Sequence, residues 1–81
     1  SFPEETLPED SDIRQAIVEA ININPLVRPI DFCDEVREVL KEKGFCTCLL
    51  TAKRIWRVYE EMVKKGIIYD YLEVVKKDKR V

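Results

Sequence analysis

The chain has 81 residues, a formal net charge of −2, 46% hydrophobic and 37% charged residues, and no histidine. That length makes one domain with a small core, and no apolar run approaches the roughly 20 residues that a membrane-spanning helix needs. The composition excludes a collagen-like or low-complexity chain, and the missing imidazole argues against general acid–base catalysis.

Residues 1–10 hold two prolines, four acids and no base, with only Phe2 and Leu7 to bury, and read as a flexible acidic arm. Ser11 is a good cap residue, and Ile13, Ala16, Ile17, Ala20 and Ile21 follow at helical spacing, so a first helix is predicted from Asp12 to about Asn22. Asn24 and Pro25 end it. Residues 26–30, Leu-Val-Arg-Pro-Ile, suit a short edge strand interrupted by proline. Asp31 then caps a second helix whose apolar stripe is Phe32, Val36, Val39 and Leu40, with Gly44 placed to end it. Residues 45–50, Phe-Cys-Thr-Cys-Leu-Leu, carry no strong turn residue and read as a buried connection or the opening turn of a third helix.

Thr51 opens the most informative stretch. Ala52, Ile55, Val58, Tyr59, Met62 and Val63 share one face of a helix, while Lys53, Arg57 and Lys64 lie near the centre of the opposite face. Thr51 can cap the first turn, and Gly66 can take the left-handed conformation that ends a helix. Trp56 sits at the edge of the buried stripe, a position that favours core or rim packing. Residues 67–75 are rich in β-branched and aromatic side chains and read first as a strand; Ile68, Tyr71, Leu72 and Val75 also fit a fourth helix over residues 71–79. Residues 76–81 form a basic tail.

Charge is unevenly divided. Residues 1–50 carry 5 Lys or Arg against 11 Asp or Glu, and residues 51–81 carry 9 against 5. A basic face on an acidic protein can still attract phosphate, because a local patch sets the potential felt within about 10 Å at ordinary salt. The plainer alternative is a solvated helix surface with pairing of Arg57 to Glu61 and Glu60 to Lys64.

Cys33, Cys46 and Cys48 make an odd count, unusual for a secreted disulfide scaffold, and no secretory signal is visible; an intracellular, cytoplasmic protein is expected, nuclear in a eukaryote. Three readings of the thiols stay open: a disulfide from Cys33 to Cys46 or Cys48, reduced and mostly buried thiols, or metal ligation, for which a fourth ligand is lacking. The Glu- and Lys-rich composition leans towards a thermophile, where intracellular disulfides occur. A reactive Cys46 or Cys48 beside Lys43 is the remaining catalytic or redox-sensing option. Only two glycines occur, so no Gly-rich phosphate loop can form. No enzyme activity, cofactor or small-molecule substrate is expected.

Taken in order, helix, short edge strand, helix, longer amphipathic helix, then a β-prone segment, residues 11–75 resemble the winged helix-turn-helix superfamily. The resemblance rests chiefly on Leu50, Thr51, Ile55, Tyr59, Met62, Gly66 and Ile68, at positions where such domains carry a leucine, a hydroxyl cap, apolar core residues and a glycine leading into the wing. It implies a mainly α fold with a three-helix helix-turn-helix core. It also implies that the third helix enters the major groove of duplex DNA, as in a transcriptional regulator. Lys53, Arg54 and Arg57 would then meet base edges and phosphates, and Lys64, Lys76 and Lys77 the backbone. The link over residues 44–51 is longer than the compact turn of the motif, and Glu60 and Glu61 sit on the exposed part of the third helix. No Gly or Asn-Gly turn follows Ile67, so the wing is short, lost or replaced by a helix. Domains of this type without a wing often bind proteins, which makes an interaction module of a larger replication, transcription or membrane-remodelling factor the alternative. A homodimer would suit a reader of two DNA half-sites.

Overall fold

A computed structural model describes residues 6–72 of the chain. Three helices pack on one another: α1 (Asp10–Ile23), α2 (Pro29–Glu42) and α3 (Ala52–Lys64). Among the described residues there is no sheet, and the one β-type pairing is an isolated parallel bridge between Thr6 and Phe45.

α1 starts before the position that Ser11 predicts. Its cap is Glu9, whose amide donates to Asp12 Oδ2 at 2.9 Å, so an acid three residues on satisfies the chain entering the helix. Asp10 and Asp12 also place negative charge at the positive end of the helix dipole. Ser11 lies inside the first turn.

The edge strand expected over residues 26–30 is absent. Pro25 and Leu26 form a turn, Val27 drops into the core, and Pro29 is the first residue of α2. Proline fits there because its missing N–H is one of the four that a helix start leaves unpaired, and its fixed φ already matches the helix. The cap is accordingly Arg28, not Asp31. Asp31 lies in the first turn, where its carboxylate accepts from Arg28 Nε and Nη2 at 3.3 Å each.

Both glycines close helices as predicted, and by one device. At Gly44 (φ 92°) the Phe45 amide donates back to the Leu40 carbonyl and the Gly44 amide to Lys41; at Gly66 (φ 76°) Ile67 donates to Met62 and Gly66 to Val63. These reverse pairs satisfy carbonyls that the helix end would otherwise orphan, and the positive φ is where a side chain would be strained.

The core is the meeting of three predicted stripes. Ile13, Ala16, Ile17, Ala20 and Ile21 of α1 pack with Phe32, Cys33, Val36, Val39 and Leu40 of α2 and with Ile55, Val58, Tyr59 and Met62 of α3. Leu50 seals the approach to α3, and Arg37 Nη2 donates to its carbonyl at 3.2 Å. Ala52, placed on the buried face by periodicity, is exposed, and Val63 is half-buried. Ala52 lies in the first turn of α3, where the stripe runs off the core, and Val63 in the last, where it still packs against the core.

Beyond α3, residues 67–72 form turns and bends, not a strand, and a continuation of either predicted element lies outside the described residues. Tyr59 holds this segment in place. Its hydroxyl donates to Asp70 Oδ1 at 2.7 Å and accepts from the Leu72 amide at 3.1 Å, bringing Leu72 onto the core. Burial pushes the Tyr59 phenol well above its ordinary pKa, and the bond to Asp70 adds to the rise.

Candidate functional site

The outer face of α3 is the most distinctive surface in electrostatic terms. α3 carries four bases (Lys53, Arg54, Arg57, Lys64) against two acids; α1 carries three acids against Arg14, and α2 five against Arg37 and Lys41. Of the three helices only α3 has an excess of positive charge.

Its leading turn is built to face solvent. Thr51 caps the helix, its Oγ1 accepting from the Arg54 amide at 3.2 Å, as the sequence predicts. Thr51, Lys53, Arg54, Trp56, Arg57, Tyr59 and Glu60 line one open concavity along the helix. Trp56 is half-buried there, its ring 5.1 Å from Phe32 and 5.8 Å from Tyr59 between centroids. Its indole forms an apolar floor flanked by cations. Phe32 and Tyr59 meet edge-on at 5.3 Å beneath it, which anchors the tryptophan in the core.

The predicted cations divide into two pairs. Lys53 and Arg57 are exposed, one turn apart, and neither has an ion-pair partner among the described residues. Arg54 is engaged: its Nη2 donates to Asp10 Oδ1 at 3.0 Å, joining the start of α3 to the start of α1. Lys64 pairs with Glu60 Oε2 at 3.5 Å, the neighbouring turn of the same helix, as its spacing allows. Lys76 and Lys77 lie outside the described residues.

Trp56, expected at the edge of the buried stripe, packs there against Phe32 and Tyr59 and also lines the concavity. One participant escapes a reading by residue type. Asp10, the partner of Arg54, is 44 positions away, and nothing local announces that contact.

Of the three sequence readings of the thiols, the structure fits the reduced one in part. None is in a disulfide: Cys33 is buried on α2, so its expected pairing with Cys46 or Cys48 is not made. Nor are the thiols mostly buried, since Cys46 is half-buried and Cys48 exposed, with their Sγ atoms 2.7 Å apart. Burial raises the Cys33 pKa, an effect partly offset by Arg37, and keeps that thiol protonated and inert.

Comparison with protein-family models, with curated proteins and with solved structures finds no match.

Proposed function

We propose that this chain is a DNA-binding domain of winged-helix type, a transcriptional regulator that presents α3 to the major groove of duplex DNA. One observation carries the reading: Lys53 and Arg57 stand solvated beside half-buried Trp56, on the one helix of the three with excess positive charge. A helix about 10–12 Å across fits the major groove, and cations along it displace condensed counterions from phosphate. In this scheme Lys53 and Arg57 make the first contacts. Arg54 joins when it exchanges Asp10 for phosphate, and Lys64 contacts the backbone one turn past Glu60. Lys76 and Lys77 add backbone contacts from the tail.

The test is a fluorescence-anisotropy titration of labelled mixed-sequence duplex at about 50 and about 200 mM salt, with wild type and a Lys53→Ala, Arg57→Ala double variant. Loss of two phosphate contacts lowers the slope of log affinity against log salt by about 1.8. Superimposable curves for the two proteins, or no salt-dependent binding at all, would refute the reading.

A second reading has its own support. Tyr69 and Tyr71 are exposed with their rings 5.4 Å apart, and two of the four α3 bases are neutralised within the fold. Paired tyrosines beside a weakly cationic helix suit an acidic protein segment, with aromatic contacts supplying affinity and Lys53 and Arg57 supplying orientation. Binding of an acidic helical peptide that survives at high salt, without binding to duplex, would favour it.

A further inference from the structure

The connection over residues 45–50 holds chemistry that the α3 surface does not use. Cys46 and Cys48 are separated by one residue, and their Sγ atoms approach to 2.7 Å. Cys48 is exposed and Cys46 half-buried, so a small molecule can reach the pair, whereas Cys33 is shielded within the core. The backbone around them is irregular: Cys48 and Leu49 lie in a turn, and neither cysteine belongs to a helix or a strand ladder. Such a segment can adjust its dihedrals to close a small ring at little cost to the packed helices. The loop also bears the acidic arm, because the Cys46 amide donates to the Thr6 carbonyl at 3.0 Å next to the Thr6–Phe45 bridge.

We propose that Cys46 and Cys48 form a reversible dithiol–disulfide site that exchanges with small-molecule disulfides of the glutathione type, independently of whatever α3 binds. The exposed Cys48 thiolate attacks one sulfur of glutathione disulfide. That S–S bond breaks, a mixed disulfide forms on Cys48, and one glutathione leaves as its thiolate. The Cys46 thiolate then attacks the Cys48 sulfur, expelling the second glutathione and closing the Cys46–Cys48 bond. The protein gives up two electrons and two protons, and one glutathione disulfide becomes two glutathione thiols. Proximity makes the second step intramolecular, so the mixed disulfide does not accumulate. Cys33, buried and protonated, takes no part.

The full chain is equilibrated in glutathione buffers of graded redox ratio, quenched in acid, alkylated with a maleimide, digested with trypsin and weighed by mass spectrometry. Cleavage after Lys43 and Lys53 isolates both thiols in peptide 44–53, while Cys33 falls in peptide 15–37. The expected product is an unalkylated peptide 44–53 lighter by two hydrogen atoms, increasing with the oxidised fraction and restored to two maleimide adducts by dithiothreitol. Cys46→Ser stops the reaction at a glutathione adduct on Cys48. Three results overturn the proposal: peptide 44–53 doubly alkylated at every ratio, a cross-link between peptides 44–53 and 15–37, or no glutathione adduct on the Cys46→Ser protein.

Discussion

Asp10→Asn tests how the acidic arm limits the α3 surface. Asp10 holds Arg54 in an ion pair of 3.0 Å, with the two side chains 54% and 35% exposed, so solvent screening keeps the pair within the roughly 0–1 kcal/mol of surface salt bridges. Diverting Arg54 to phosphate in the wild type therefore costs at most about a five-fold loss of affinity, by the thermal-energy scale at that upper bound. Asparagine keeps the size of the side chain and removes its charge. Arg54 is then available from the outset, so the variant makes the same phosphate contacts as the wild type without first breaking the ion pair, and the log–log salt slopes of the two proteins stay alike. The expected result by fluorescence anisotropy is binding tighter by up to about five-fold, with the two affinities running nearly parallel from about 50 to about 200 mM salt. Asp10 also sits in the first turn of α1, where its charge favours the helix by about 0.3–1 kcal/mol, so a thermal melt run in parallel registers a small loss of stability alongside the gain in binding. Equal affinities for the two proteins at both salt concentrations would refute the assignment of Arg54 as a phosphate ligand restrained by Asp10.

Two further substitutions examine the frame that carries the site. Tyr59→Phe removes the acceptor of the Leu72 amide and the donor to Asp70, leaving a buried N–H unpaired at a cost of about 1–3 kcal/mol, or about 4–8 °C in Tm per kcal/mol for a domain of this size. The phenol's pKa is raised by folding, so its contribution is complete below the unfolded value near 10 and is lost as pH rises above it; the stability gap between wild type and Tyr59→Phe should close across that window in chemical denaturation, and a gap unchanged by pH would contradict the bonding shown. Gly66→Ala meets no atom within 4 Å of the added methyl, so its cost is that of the positive φ alone, about 1 kcal/mol after the stiffer unfolded chain is allowed for. Gly66→Asn should recover part of that loss in the same melt, and an alanine variant as stable as wild type would show that the helix end relaxes out of the left-handed region.

What periodicity could reveal, and what it could not, follows from the range of each interaction. The stripes of α2 and α3 were legible because Phe32, Val36, Val39 and Leu40, or Ile55, Val58, Tyr59 and Met62, repeat within a few turns, and burial of that repeat is what holds each helix. Both helix ends at glycine were legible for a similarly local reason. Misreading set in where one residue type serves two structures: Pro29 suits a strand edge or the first position of a helix, and the exposed Leu26 and Ile30 beside it mimic a strand without packing as one. Ser11 is a preferred cap by type, yet Asp12 is placed to bond the Glu9 amide, and the helix starts earlier. The Arg54–Asp10 pair belongs to a third category. It exists because Pro8 is buried and Thr6 pairs with Phe45, which steers the arm past the start of α3, and no pattern within either segment encodes that path.

The direction in which α3 faces is decided by its core. Phe32, fully buried on α2, meets both Trp56 and Tyr59, which also meet each other, and this triangle of rings pins two adjacent turns of α3 at a fixed rotation about the helix axis. Tyr59 is locked again from beyond the helix through Asp70 and Leu72. With 100° between successive residues, a helix held at positions 55, 56 and 59 has no freedom to choose where positions 53 and 57 point. Lys53 and Arg57 are therefore presented to solvent before any ligand arrives, and binding need not reorient the helix that carries them. That preorganisation concerns backbone and azimuth only: the long side chains still lose rotamer freedom on contact, at about 0.5–1.5 kcal/mol each. Trp56→Ala should consequently weaken binding in two ways, by removing the apolar floor of the concavity and by loosening the rotation of α3, whereas Trp56→Phe should retain the second function and lose only part of the first.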